Sequence, residues 1–573
     1  MKHQRPKSEN PNRKAIMEDY TTIKALIDVM NSHGVEFVFF NPGIDNVPVL
    51  ETLAAYQSQG KKSPKSILCL DEFVAMTAAH GNWMASGKPQ VVAVHSELGA
   101  LQIGGALHNA QWGRVPVVFF TEVQEPLERT NWRGEAFDQG AMVRNFVKWD
   151  HHIKTGENIG EIFNKALGIA MTEPCGSVYI TLPRQALWSK NKAISKASYK
   201  STMGSLPKTD ISSLKKAAEI LLKAENPLIV TGYSGRHAAT VASLVELAET
   251  LAARVLSTDT WVNFPNTHPL AAYLSSTVGF GNPLLTQADV VFAIDYDMHY
   301  AAPPITPNRK AKIVHLDIDT KKKGISLWNM PPEIQITADS NQAIPELTKI
   351  IQRQLTPEKR ARLQKRFQTF ANEHDKLDSE WRGKAKNDAK VKTITAHWLT
   401  HCIDKVIDEN TVIVNQTISP ATIVFHQLHL DKPGKLFSCA GGCIGWAPGA
   451  ALGVKLASPD KTVISLMGDG AFIYGCPEAS LWSSSYYKAP FLAVIYDNQG
   501  YGAIKGLFRE KYNGINMGAD ISTPPDYALI ARANKAYGLM IDDPADIPQA
   551  LKDCLAKVRK GQTAVLDVKL APV

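Results

Sequence analysis

Short apolar runs rich in Val, Ile and Phe recur along the chain, separated by longer stretches with amphipathic helical patterning. Between Tyr20 and about Lys190 these runs are VEFVFF, SILCL, QVVAVHS, VPVVFFTE and GSVYITLP. Strand-like runs interleaved with helical patterns predict a parallel sheet with helices on both faces. The stretch KNKAISKASYKSTMGSLPKTD then loses its periodicity and predicts a linker. A second unit carries PLIVTGYSG, ARVLSTD, ADVVFAID and AKIVHLDID as strands and ends near Ile351. The charged run LTPEKRARLQKRFQTFANEHDKLDSEW predicts a solvated connecting helix. A third unit starts near Ile394 with TVIVNQ, KLFSCA, TVISLMGDG, FLAVIYDN and TAVLDVKL. The expected fold is α/β, with three doubly wound parallel-sheet domains of one architecture at 18–190, 208–352 and 390–573.

Composition narrows the function classes. A chain of 573 residues is too long for one hydrophobic core, and 44% hydrophobic with 21% charged residues is ordinary globular material. No run of eighteen apolar residues occurs, and the start MKHQRPKSENPNRK lacks the apolar region of a secretory signal. The expectation is a cytoplasmic protein with no membrane partner. The formal charge of +8 comes from scattered lysines without a basic stripe carrying aromatics, which argues against nucleic acid, and TKKKG reads as a solvated turn. Seven cysteines without a CxxC pair fit reduced thiols, and CAGGC is too flexible and isolated for a metal site.

Chemistry concentrates where apolar strands end. Asp469 in GDG and Asn498 in DNQGYG each follow such a strand, and ligands of open parallel sheets gather at the carboxyl ends of strands. Asp and Asn offer the hard oxygens that Mg²⁺ prefers, and two side chains are too few for an all-protein cage, so phosphate oxygens and water would complete the shell. Glycines at 468, 470, 500 and 502 would let backbone approach such a group.

GDG, 27 intervening residues (471–497) and then Asn498 resembles the binding motif of the thiamine diphosphate-dependent enzymes, the group of acetohydroxyacid synthase, benzoylformate decarboxylase and pyruvate oxidase. The resemblance implies Mg²⁺ held by Asp469, Asn498 and the Gly500 carbonyl, with Gly468, Gly470, Ala471 and Tyr501 around the diphosphate. Asp497 departs from the Asn usual before the ligand. CAGGCIGWAPGAALG resembles the segment before GDG, which implies a Gly442 carbonyl that accepts from the aminopyrimidine and Ile444 as the wedge that bends the cofactor. NQTISPAT makes Thr417, Ile418 and Ser419 candidates for the diphosphate, with an ordinary loop as the competing reading.

The same resemblance makes Glu72, in ILCLDEFVAMTAAHGNW, the acid at the pyrimidine; the competing reading is a helix N-terminal cap. NPGIDNVP implies that Gly43 and Ile44 border the substrate, Ile44 standing where some decarboxylases carry serine. His95 matches the active-site histidine of benzoylformate-type decarboxylases and is a candidate proton relay, with a satisfied core histidine as the alternative. GEAFDQG resembles acetohydroxyacid synthase, which implies Phe137 near the pocket, with a plain surface turn as the alternative; Trp446, with Trp112, Trp132 and Tyr501, could line the pocket or belong to the core. His151 and His152 read as structural or exposed. In the middle unit Asp295 and Asp297 follow the Gly-rich TGYSGRHAAT turn's neighbouring strand and argue against bound FAD.

The implied function is cleavage or decarboxylation of a 2-oxo acid, or of a related 2-hydroxy carbonyl compound, through a carbanion/enamine on the cofactor, with carboligation as a second outcome. An acetohydroxyacid (acetolactate) synthase-type transferase and a non-catalytic regulatory homologue are the alternatives. The family's active site forms between chains, so the resemblance implies a homodimer as the minimal active unit within a homotetramer.

Overall fold

The computed structural model describes residues 20–123, 138–154, 156–187, 209–258, 260–273, 283–297, 308, 310–321, 331–512, 514 and 517–571. Eighteen strands among them form three six-stranded sheets in which every pairing is parallel. Of the linker expected at 190–210, residues 190–208 lie outside the described residues, and Asp210 caps the helix Ile211–Lys223.

The first sheet holds β1 (Phe37–Asn41), β2 (Lys65–Leu68), β3 (Gln90–Val94), β4 (Val117–Val123), β5 (Trp149–His152) and β6 (Val178–Pro183), in the order β2-β1-β3-β4-β6-β5. β3, β4 and β6 are buried at every position. Helices cover both faces of a parallel sheet, so such strands read as continuous apolar runs without alternation. This sheet belongs to one compact unit, residues 1–204, and the other two belong to a second, residues 205–573.

The second sheet holds β7 (Pro227–Thr231), β8 (Arg254–Ser257), β9 (Ala271–Tyr273), β10 (Val290–Ile294), β11 (Lys312–Asp317) and β12 (Ile334–Thr337), in the order β12-β11-β10-β7-β8-β9. The third holds β13 (Thr411–Gln416), β14 (Leu436–Ser438), β15 (Thr462–Gly468), β16 (Leu492–Asp497), β17 (Tyr537–Ile541) and β18 (Ala564–Lys569), in the order β14-β13-β15-β16-β18-β17. Counted within each sheet, the first and third share the order 2-1-3-4-6-5, whereas the second has the order 3-2-1-4-5-6 of dinucleotide-binding sheets. The expectation of one shared architecture thus holds for class and not for wiring. Fully buried parallel strands look alike in sequence, and crossover packing decides their neighbours.

The connecting segment is a helix, Pro357–Asp388, but it is not simply solvated. Leu363, Phe370, Ala371 and Ala385 are buried along it. Arg366 donates to the carbonyls of Ala224 (2.9 Å), Glu225 (2.9 Å), Leu251 (2.5 Å) and Ala252 (3.1 Å). Those carbonyls close the helices Ile211–Lys223 and Ala238–Leu251, whose last turns lack intrahelical partners. Burial, and then the neighbouring Arg362, push the Arg366 guanidinium down to about 10. A run of mixed charge hid this clamp, because a buried arginine is written with the same letter as a solvated one. Arg366→Ala is expected to remove roughly 3 kcal/mol of stability, the scale of hydrogen bonds to a charged donor plus orphaned acceptors. A urea-melt midpoint that does not move would refute the clamp.

At the crevice of the second sheet, between the ends of β7 and β10, the Gly-rich turn packs on protein. A Cβ on Gly235 would lie 2.6 Å from the Cβ of Trp261. Asp295 is fully buried, faces Arg236 at 3.2 Å and accepts from Ser234 (3.1 Å) and Ser340 (2.6 Å). Tyr233 donates to Asp297 at 2.9 Å. The basic residue of that turn is therefore engaged internally.

Candidate active site

β15 and β16 lie side by side, Gly468 paired with Tyr496, so the residues that follow them meet on one rim. Asp469 opens the short helix Asp469–Tyr474 and is almost fully buried. Its carboxylate accepts from the N–H of Gly470 (2.7 Å) and of Gly500 (2.9 Å). Gly500 has φ +155°, and a Cβ there would lie 2.6 Å from the Lys505 ammonium nitrogen, so the loop that delivers this N–H requires glycine. Lys505 is itself buried, donating to the Gln499 carbonyl and to Asp520 at 2.9 Å each.

The oxygens outnumber their partners here. Asn498 Oδ1, Asp497 Oδ2 and Asp567 Oδ1 are buried without a hydrogen-bond partner among the described residues. Burial chiefly, with Asp497 nearby and against the two N–H bonds, pushes Asp469 up to about 6, while burial and Asp497 push Asp567 to about 7. Buried carboxylates crowded beside an unpartnered amide oxygen are short of positive charge, and hard-oxygen donors of this kind suit Mg²⁺.

A cleft of about 340 Å³ opens beside them, lined by Ile418, Ser419, Gly442, Ile444, Gly468, Asp469, Gly470, Ala471, Asn498, Gly500 and Tyr501. The glycines divide into two groups. A Cβ on Gly470 would meet the Tyr501 ring at 2.6 Å and one on Gly502 the Ser419 hydroxyl at 2.5 Å, so these allow protein-on-protein packing. Gly442 and Gly468 have no atom within 4 Å of that position and leave room for an occupant. Gln416, absent from the sequence reading, lines the cleft and braces its wall, donating to the Cys443 carbonyl (2.9 Å) and accepting from the Ala447 N–H (3.1 Å).

Two expected residues are corrected. Thr417 is buried beneath the cleft, and both its N–H (3.1 Å) and its hydroxyl (2.9 Å) donate to Asn415 Oδ1, so it is no donor to a diphosphate. Trp446 starts the helix Trp446–Ala457 fully buried, as core and not as pocket wall, because that helix has to cover the sheet. Phe137 and Trp132 lie outside the described residues.

In the first unit Glu72 follows β2 and is the first residue of the helix Glu72–Ser86. The cap is Asp71, which accepts from the Val74 N–H at 3.0 Å. This removes the competing role for Glu72, whose partly exposed carboxyl is left for other work. Gly43 and Ile44 follow β1, and Ile44 is 90% exposed. His95 follows β3, its ring partly exposed and its Nδ1 2.6 Å from Asp45 Oδ1, so it is a paired rim histidine and not a core one. His151 bonds Glu157 at 3.1 Å, as expected of a structural residue. Asp45 and Glu122 were missed. Glu122 ends the apolar run VPVVFFTE as Asp469 and Glu72 follow theirs, and that shared pattern was the available signal.

Three family models match the chain in order: the N-terminal binding domain of thiamine pyrophosphate enzymes over residues 20–142, their central domain over 214–347 and their C-terminal binding domain over 418–568. Benzoylformate decarboxylase of Pseudomonas aeruginosa is 25% identical over 552 residues, covering 94% of this chain and 97% of that protein. The acetolactate synthase isozyme 3 large subunit of Escherichia coli is 25% identical over 570 residues, covering 95% and 93%. Among solved structures, the thiamine diphosphate-dependent 4-hydroxybenzoylformate decarboxylase of Rhodococcus jostii superposes with a TM-score of 0.80 at 21% identity, covering 96% of this chain and 99% of that one. With models of all three domains matched in order on three parallel sheets, the chain belongs to the thiamine pyrophosphate enzyme family.

Proposed function

We propose that the protein uses thiamine diphosphate and Mg²⁺ to decarboxylate a 2-oxo acid or to cleave a related 2-hydroxy carbonyl compound. The observation that carries this is the pairing of buried Asp469 with the unpartnered Asn498 Oδ1 on adjacent strand ends, beside a cleft floored by open glycine positions. When bound, the cofactor supplies a nucleophilic carbon that adds to the substrate carbonyl and takes up the electron pair released with CO₂.

The chain's residues would bind and orient it. Asp469, Asn498 and the Gly500 carbonyl would hold Mg²⁺; Ile418, Ser419, Gly468, Gly470, Ala471 and Tyr501 would surround the diphosphate. The Gly442 carbonyl would accept from the aminopyrimidine and Ile444 would set its bend. Glu72 would share a proton with the pyrimidine N1′, for which its carboxyl is left by the Asp71 cap. Gly43, Ile44 and His95 would border the substrate.

A homodimer is part of this reading. Ile44, Val47, Leu70, Leu98 and Leu101 are large apolar side chains exposed near the rim of the first unit, and Ile473, Ile504, Leu507 and Met517 near that of the third sheet. Apolar groups exposed in such number favour burial against a second copy, which would bring Glu72 of one chain to Asp469 of the other. No helix among the described residues is long and apolar enough to cross a membrane and no cysteine among them is in a disulfide; the reading takes the protein as a cytoplasmic homodimer or homotetramer.

The test is calorimetric titration of cation-stripped protein with thiamine diphosphate, with and without Mg²⁺. Mg²⁺-dependent binding is expected, followed by CO₂ release from an aliphatic or aryl 2-oxo acid. Folded, dimeric protein that does not bind would replace this reading with the non-catalytic homologue. The equal identity to an acetolactate synthase keeps a second reading, carboligation to a second 2-oxo acid, which product analysis with two 2-oxo acids separates from simple decarboxylation.

A further inference from the structure

Four strands of the first sheet deliver charged or titratable residues to one rim, and the proposed function uses only His95 among them. Asp45 sits in the turn after β1, Glu122 near the end of β4, His95 after β3 and Arg184 after β6. Asp45 and Glu122 are buried, Glu122 completely. One Asp45 oxygen is 2.6 Å from His95 Nδ1; the other accepts the Ser96 N–H at 3.2 Å and lies 4.0 Å from Arg184. The Asn46 amide donates to Glu122 Oε2. Glu122 Oε1 has no hydrogen-bond partner of standard geometry among the described residues, and the residue's own N–H and the Asp45 carboxyl stand beside its carboxyl.

Two buried carboxyl groups in contact cannot both be charged at modest cost, so one of them keeps a proton. The pattern of partners says which. Asp45 receives the histidine and the Ser96 N–H, both suited to an ionised carboxylate, whereas Glu122 receives the Asn46 amide on Oε2 and, beyond its own N–H, has the Asp45 carboxyl as its neighbour. Burial chiefly, and then the Asp45 charge, hold Glu122 well above the usual carboxylate range.

We propose that Asp45 and Glu122 share a single proton, and that the one negative charge of this pair holds His95 as the proton-exchange group of the rim, with Nδ1–H committed to Asp45 and Nε2 left for substrate. The inference rests on the proposed function for its role in turnover, and on geometry alone for its existence. In each transfer the Nε2–H bond of the imidazolium breaks, the proton leaves to the acceptor atom of the substrate and the electron pair stays on nitrogen. The ring goes from +1 to neutral while keeping Nδ1–H, and solvent resupplies the proton.

Backbone details follow from this arrangement. Ser96 has φ +38°, a left-handed conformation costly for a residue with a side chain, and its N–H is the one Asp45 accepts. A Cβ at Gly43 would fall on His95 Nδ1 and Asp45 Oδ1, so only glycine leaves room for the pair. Among the described residues, the other titratable groups close by include Tyr179, which burial first and then Glu122 and Glu97 hold above its ordinary value, Glu97 itself and Arg184.

The first test uses the unmodified full-length protein labelled with ¹⁵N-histidine, His95 being assigned with His95→Gln. Where the ring is neutral, the expected spectrum shows the His95 proton on Nδ1; a proton on Nε2 would overturn the proposal. Infrared difference spectra at neutral pH should show a protonated-carboxyl band that Glu122→Gln removes, and its absence would equally overturn it. Two substitutions should then differ in where the His95 ring carries its proton. Asp45→Asn, whose oxygen the Ser96 N–H would claim and whose amide would face the ring, is expected to move the ring proton to Nε2, and Glu122→Met, which leaves Asp45 as acceptor, to keep it on Nδ1. In the active enzyme Asp45→Asn is expected to lower kcat about tenfold or more with KM within about twofold. A proton that stays on Nδ1 in Asp45→Asn would mean that the two carboxyls are structural only. Failure of Mg²⁺-dependent cofactor binding would remove the proposed function and leave the nitrogen-15 and infrared results standing, so the two ideas fail separately.

Discussion

Asp469→Ala is expected to abolish Mg²⁺-dependent binding of thiamine diphosphate, weakening it by about 100-fold or more in calorimetry. The loss would be large because the proposed site has few protein ligands, and among them only the aspartate would bring charge directly to the cation. The side chain also receives the N–H groups of Gly470 and Gly500, so its removal frees the loop that carries Asn498. Asp469→Asn separates lost charge from lost structure. In the cation-free protein Asp469 keeps its proton to about pH 6, whereas an unfolded chain releases it near ~3.9. The folded state therefore binds more protons in that window, and this group's contribution to stability falls as pH rises from about 4 to about 6 and stays lower above it. The Asn variant has no charge to bury, so without cation it is expected to be more stable than the parent at pH 7.5 while binding the cofactor poorly. Mg²⁺ affinity of the parent should fall as pH drops below about 6, since proton and cation compete for one carboxylate. Retained Mg²⁺-dependent affinity in both variants would remove Asp469 from the site.

Glu72→Gln is expected to do the reverse: cofactor binding within a few-fold of the parent, and turnover lower by about 10²- to 10⁴-fold, the usual range for loss of a positioned proton donor or acceptor. The amide keeps the size and place of the carboxyl at the start of its helix, and Asp71 still supplies the cap, so stability should scarcely change. This stability result distinguishes the two readings of the glutamate. A capping residue would lose about 1 kcal/mol on substitution and leave turnover alone. Full turnover in Glu72→Gln would sink the proposed proton transfer with the pyrimidine.

The contrast between Asp71 and Glu72 shows where sequence reading stops. Neighbouring acids after a strand both qualify as helix caps, and only backbone geometry assigns the cap to one and leaves the other. Thr417 shows the same limit, since a hydroxyl in a rim loop looks like a ligand donor until Asn415 is seen to take it. Trp446 and Arg366 miss in opposite senses, a suspected pocket aromatic lying in the core and a supposed solvated charge clamping two helix ends. Asp45 and Glu122 escaped because they lie 77 residues apart in the chain.

What the chain's own letters determined was local and periodic: three sets of buried parallel strands, the helices between them, and the acids and amide placed just beyond strand ends. Burial on both faces writes itself as apolar runs, and a rim residue is whatever follows such a run, so Asp469, Asn498 and Glu72 were visible with no coordinates. Strand order, cap assignment, the division of glycines between packing and cleft, and the His95–Asp45–Glu122 cluster were decided by tertiary structure. Each depends on which distant segments become neighbours, and crossover packing and burial set that jointly for the whole domain, with no mark at any single position.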